Sequence, residues 1–233
     1  AFVEEFIIPM VTQTALEDIH GEEVRLRSLL RFAEEELKHQ ERFRRSMALF
    51  DQGFGARCGL IPGREDVAKV VLSKSRLAAL YLTTVIEWFT QLHYVEHVRD
   101  GSGLDELFRD LLRFHWMEEA QHAKLDTLLI DEIAETATLE ERETAVDELL
   151  ELGAAIDGLL LQQIRLNIET LQNVTGRRFT EAEKEEISTK THRAWRWTFL
   201  VSGLEHPNVV KVINELTREG PEKIKGAAKA LSA

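Results

Sequence analysis

The chain has 233 residues, a net charge of −12 and a sequence pI near 5.2. It carries no basic stripe for a phosphate backbone, so no nucleic-acid partner is expected. Its one cysteine, Cys58, excludes an internal disulfide framework and a paired-cysteine metal knuckle. Arg76 and Glu87 interrupt the longest apolar run, so no membrane span is predicted, and the opening AFVEEFIIPMV lacks the basic start of a signal peptide. A reducing, cytoplasmic setting is expected.

In chain order, apolar residues recur at helical spacing with little strict alternation. An opening helix precedes Gly21, with Pro9 set to kink or shorten it. Long helices are predicted at 22–51, 65–99, 104–135, 139–175 and 181–204, and shorter ones at 207–219 and 221–231. Thr138 with Glu141, and Thr180 with Glu183, have the form of capping boxes. Pro207 and Pro221 suit first-turn positions. The expectation is one all-α domain, with a bundle over residues 1–135 and further packing or interface helices over 138–233.

Several titratable residues fall inside apolar stripes. In the helix at 22–51 the stripe runs through Leu26, Leu29, Leu30, Ala33, Phe43, Met47 and Phe50, and Glu36 lies in it with His39 one turn on. Glu35, among Arg31, Lys38 and Arg42, reads as solvated. Glu87 is the one charge between Leu77 and Leu92, on a helix that is apolar all round and therefore buried. In the helix at 104–135 the stripe passes Leu104, Phe108, Leu111, Leu129 and Ile133, and His115, Glu119, His122 and Asp126 share that side, with Glu118 nearer its edge. A third Glu-x-x-His pair, Glu17 with His20, ends at Gly21 and reads as a chance match at a helix end. His93, Glu96 and His97 read as facing solvent or the next loop, whereas Gln91 and Tyr94 share the Glu87 side. The aromatic and arginine run at 191–208 reads as core packing and subunit interface, with stacking on an aromatic substrate the alternative.

Buried carboxylates repel one another and take up protons unless a cation holds them. Two iron ions would answer this, because helical bundles build such sites from one Glu on each of two helices and a Glu-x-x-His on each of two others. The fourth glutamate would come from the opening helix, where Glu4 lies closer to the apolar face set by Val3, Phe6, Ile7, Met10 and Val11, with Glu5 the alternative.

The order Glu4 (or Glu5), Glu36-x-x-His39, Glu87, Glu119-x-x-His122 resembles the ferritin-like di-iron carboxylate superfamily. The further His115, four residues before Glu119, makes the last ligand helix similar to that of the arylamine (aminobenzoate) N-oxygenases. HWMEEAQHAK is also similar to a bacterial ferritin-like family loosely labelled metal-dependent hydrolases. The motifs cover residues 1–135 only. The resemblance implies a ferritin-like four-helix bundle with additional C-terminal helices and a non-haem di-iron oxidase or oxygenase. Glu36 and Glu119 would bridge the irons, Glu4 and Glu87 would bind more terminally, and His39, His115 and His122 would supply nitrogen donors. Mixed oxygen and nitrogen ligands suit iron, or manganese with iron. Asp126 is expected to accept from a ligand imidazole, or else to form a surface pair with a basic neighbour. Expected partners are dioxygen, a small organic substrate with amines among the candidates, an electron donor and a second copy of the chain. Competing readings are a ferroxidase or peroxide scavenger, a binuclear hydrolase, and a metal-free interaction protein.

Overall fold

The computed structural model describes residues 3–61 and 63–233, without the side chains of Val3, Glu4 and Arg64. The described residues form an all-helical bundle and contain no strand. A tight 3-10 turn at Val3–Phe6 leads into α1 (Ile7–Glu17). Pro9 has no N–H to give to the carbonyl four residues back, which places it in the first turn of α1 rather than its interior. α2 (Glu23–Phe54) ends on Gly55 at φ 75°. α3 (Arg64–Leu72) and α4 (Arg76–His93) follow, and a π-helical turn at Tyr94–Val98 extends α4. Then come α5 (Glu106–Thr136), α6 (Leu139–Thr175) and α7 (Glu181–Arg196). A second π turn at Trp197–Val201 joins α7 to α8 (Ser202–Leu204), and α9 (Pro207–Leu216) and α10 (Gly220–Leu231) close the chain.

The single helix expected over 65–99 is divided. Ser75 starts a new helix, its side chain accepting from Ala78 N–H, so Ser73 and Lys74 become a connection. Both capping boxes form as predicted, at Thr138 with Glu141 and at Thr180 with Glu183. Pro207 and Pro221 occupy first turns.

α4 is the central element. Every residue from Leu77 to Glu87 is buried, because α5, α6, α8 and α9 surround it. α2 and α5 run antiparallel, since Arg25 pairs with Glu132, Glu35 with His122 and Lys38 with Glu118. α4 and α5 are antiparallel too, with Gln91 Nε2 donating to the Trp116 carbonyl at 2.8 Å. The apolar core is built from Phe6, Ile7, Leu29, Phe32, Leu80, Ile130, Leu149 and Ile213. Burying such side chains is worth about 1.5–3 kcal/mol each before conformational entropy is subtracted.

The apolar stripes of α2 and α5 run past this core. Leu30, Phe50, Leu104 and Phe108, read from the sequence as core-facing, are exposed. For Phe50 and Phe108 the antiparallel register sets the end of α2 beside the start of α5, where α4 has already finished, so no third helix covers them, while Leu104 precedes α5 and Leu30 lies near the start of α2.

Candidate metal centre

α2, α4 and α5 meet at a polar cluster set directly on the apolar core. α2 turns Glu36 and His39 inward, α5 turns His115, Glu119 and His122 inward, and all five are buried. One ligand atom from each of Glu36, His39, Glu119 and His122 lies within 4.8 Å of the others, so these four are placed to hold a metal ion. The Nδ1 atoms of both i+3 histidines point into the group. His122 Nδ1 is 2.6 Å from Glu119 Oε2 and 2.9 Å from Glu36 Oε1. His39 Nδ1 is 3.2 Å from Glu119 Oε1 and 3.6 Å from Glu36 Oε1. His115 Nε2 reaches Glu119 Oε1 at 2.5 Å from the turn before.

His122 Nδ1 and Glu119 Oε2 form a hydrogen bond, whereas the other contacts are close without hydrogen-bond direction. Both Glu36 oxygens, His39 Nδ1, His115 Nε2 and Glu87 Oε2 are buried and have no hydrogen-bond partner among the described residues. Buried polar atoms are normally paired, and each unpaired one costs about 1–3 kcal/mol. A group of them converging from three helices fits the donor set of a cation bound by carboxylate and imidazole.

Aromatic packing fixes the imidazoles. Phe32 stacks on His122 with ring centroids 4.1 Å apart, Phe43 packs edge-on against His115 at 5.0 Å, and His39 meets His115 at 4.5 Å.

The outer nitrogens are held by two residues whose role the sequence reading missed. Glu118 Oε2 accepts from His39 Nε2 at 2.7 Å, and Glu35 Oε2 from His122 Nε2 at 3.0 Å. Each motif thus supports the other helix's histidine, in the pattern Glu-Glu-x-x-His read twice. Lys38 and Arg42 hold Glu118, and Arg31 holds Glu35. Glu35 is therefore not solvated as expected but only 4 % exposed. It lies four residues before His39 and so on nearly the same side, and the close approach of α5 covers it. The available signal was the doubled glutamate in both motifs, Glu35-Glu36 and Glu118-Glu119.

The expected role of Asp126 needs correction. It is fully buried, so it makes no surface pair, and neither of its oxygens has a hydrogen-bond partner among the described residues. The imidazole N–H groups it was expected to receive go to Glu35 and Glu118 instead. Glu4 falls outside the described side chains, so its expected place in the site is neither met nor contradicted. Glu5 is half-buried and lines a pocket beside Gln40 and Phe43. Tyr94 stacks on Trp116 and Gln91 donates to its carbonyl, so both serve the packing of α4 on α5.

Electrostatics follow from this crowding. Burial disfavours ionised Glu119, yet His115, His122 and His39 outweigh it and hold the carboxyl well below the usual range. Burial, and then the charge of Glu119, push Glu87 well above that range. Burial raises Asp126 as well, His122 opposes it, and the charges of Glu36 and Glu119 add to the rise. Burial alone would lower His39 and His122, but Glu119 and Glu36 raise both to about 10, so in the metal-free chain protons do the neutralising.

No helix among the described residues is long and apolar enough to cross a membrane. No protein-family model, no curated protein and no solved structure matches the chain.

Proposed function

We propose that this protein is a di-iron oxidase or oxygenase that uses dioxygen to oxidise a small organic substrate, with amines the first class to test. The observation that supports it most directly is the convergence of imidazole nitrogens and carboxylate oxygens, several unpartnered, at one buried point between α2, α4 and α5. Glu36, His39, Glu87, His115, Glu119 and His122 would hold two irons there, and the chemistry those irons would supply is the reduction of dioxygen with electrons from an external donor.

The chain's own residues have separable tasks. Glu118 and Glu35 hold the outer N–H of His39 and His122, which keeps each Nδ1 lone pair aimed inward. Phe32 and Phe43 fix ring orientation and keep water from the imidazole faces. A pocket of about 200 Å³ borders the cluster on the Phe43 side, walled by Gln40, Arg44, Met47, Cys58 and Leu60. Gln40 directly follows His39, and Phe43 touches both pocket and His115, so a small molecule lodged there sits next to the ligand shell. Polar Gln40 and Arg44 would orient one end of it, and Met47 and Leu60 would pack its apolar body.

The test is oxygen reactivity. Protein loaded anaerobically with ferrous iron and desalted is mixed with isotopically labelled dioxygen and a panel of small amines, and products are read by mass spectrometry. The reading predicts oxygen uptake faster than that of free ferrous iron and an oxidised product from at least one panel member. Retained iron that reacts no faster than free iron would contradict it. Uptake of many irons per chain would point instead to a ferroxidase.

A further inference from the structure

We propose that Asp126 is a direct metal ligand, the fourth carboxylate of the centre, supplied by α5 one turn beyond His122. The inference rests on the binuclear reading above and assigns one more residue to it.

α5 presents His115, Glu119, His122 and Asp126 along one face, at successive offsets of four, three and four residues. Asp126 has no exposed surface, and neither Oδ1 nor Oδ2 has a partner among the described residues. No described residue donates a hydrogen bond to it. Ala123 and Ile130 beside it on α5 are fully buried and apolar. On α4, the hydroxyls of Thr83 and Thr84 already donate to the carbonyls of Ala79 and Leu80. The outer imidazole nitrogens, the usual donors to a supporting aspartate, are taken by Glu118 and Glu35. A buried aspartate with two unpartnered oxygens must either take up a proton or meet a cation, and beside the ligand face of α5 a bound cation is the partner at hand.

The charge count agrees. Glu36, Glu87, Glu119 and Asp126 are all buried, and the charges of Glu36, Glu119 and His122 act on Asp126 as its own acts on Glu87. Four ionised carboxylates balance two divalent cations, whereas three leave a net positive charge in an apolar core. Asp126 thus fills the place the sequence reading gave to a glutamate of the opening helix.

The experiment compares wild type with Asp126→Asn and Glu4→Gln, each titrated anaerobically with cobalt(II). Metal per chain is read by elemental analysis and coordination by visible absorption. Wild type and Glu4→Gln are expected to bind two ions, and Asp126→Asn to keep one, or to bind the second more than about 100-fold more weakly, beyond the usual effect of an outer carboxylate. Two ions in Asp126→Asn within that factor of wild type would overturn the proposal and leave the binuclear reading standing. No metal in folded wild type would overturn both. Should Asp126→Asn misfold, a crystal structure of cobalt-loaded wild type decides: an Asp126 oxygen at about 2.0–2.2 Å from an ion supports the assignment, and both oxygens beyond bonding distance overturn it.

Discussion

At the scale of single residues, Glu35 and Glu118 occupy mirrored positions in the two Glu-Glu-x-x-His runs and hold the outer nitrogens of His122 and His39. Removing such a support leaves the ligand in place but frees its ring and lowers its basicity. Glu35→Gln and Glu118→Gln should each weaken metal binding by about 10–100-fold in a competition titration. Unchanged affinity in both would mean the outer contacts do not orient the ligands. The histidines also set a pH dependence. His39 and His122 titrate near 10 in the folded metal-free chain against an ordinary value of 6.5. Their stabilisation is complete below about pH 6.5 and is lost as pH rises through about 10. Glu87 and Asp126, raised by burial, lose stabilising protons in the same direction, starting from the carboxylate range. Metal-free protein should therefore melt on the order of 10 °C lower at pH 10 than at pH 6.5. Metal affinity should rise over the same window, because ligation displaces the imidazole protons. Melting curves with and without cobalt check both, and a flat metal-free profile would contradict the shifts. Glu36, His39, Glu119 and His122 were legible in the sequence because each is a charged residue in an apolar helical stripe. The role of Glu35 was not legible, because its burial comes from the approach of α5, which no periodicity within α2 encodes.

At the scale of elements, local chemistry decides the boundaries and tertiary approach decides the rest. The capping boxes at Thr138 and Thr180 could be read directly, since Thr-x-x-Glu bonds within one turn. The break before α4 was hidden, because Ser73 to Arg76 carries neither Gly nor Pro and the helical periodicity continues through it. Ser75→Ala should cost about 1 kcal/mol, seen as a drop of about 2–4 °C in melting temperature. The contact between α4 and α8 is tighter. A Cβ on Gly203 would lie 2.5 Å from the Val85 carbonyl oxygen and 2.8 Å from Val85 Cγ1, two residues from Glu87. Gly203→Ala should force the helices apart at a cost of about 1–3 kcal/mol and lower the melting temperature accordingly. A melting temperature equal to wild type would mean that the helices do not pack this closely.

At the scale of the whole molecule, a chain of net charge −12 buries five of its own carboxylates, Glu35, Glu36, Glu87, Glu119 and Asp126, where basic partners, protons or cations must offset them. That arrangement links folding to metal. A bound ion stabilises only the folded chain, and free metal at about 1,000 times its dissociation constant adds about 4 kcal/mol, or on the order of 10 °C at this chain length. The most direct measurement is metal content per folded chain after anaerobic loading with ferrous iron and desalting, for wild type and for Glu119→Ala, whose carboxylate touches all three histidines. The account predicts about two irons in wild type, as helical di-iron sites hold, and a clear loss in the variant. A well-folded wild type that retains none would contradict it, and would make the cluster a proton-sharing network instead of a metal centre.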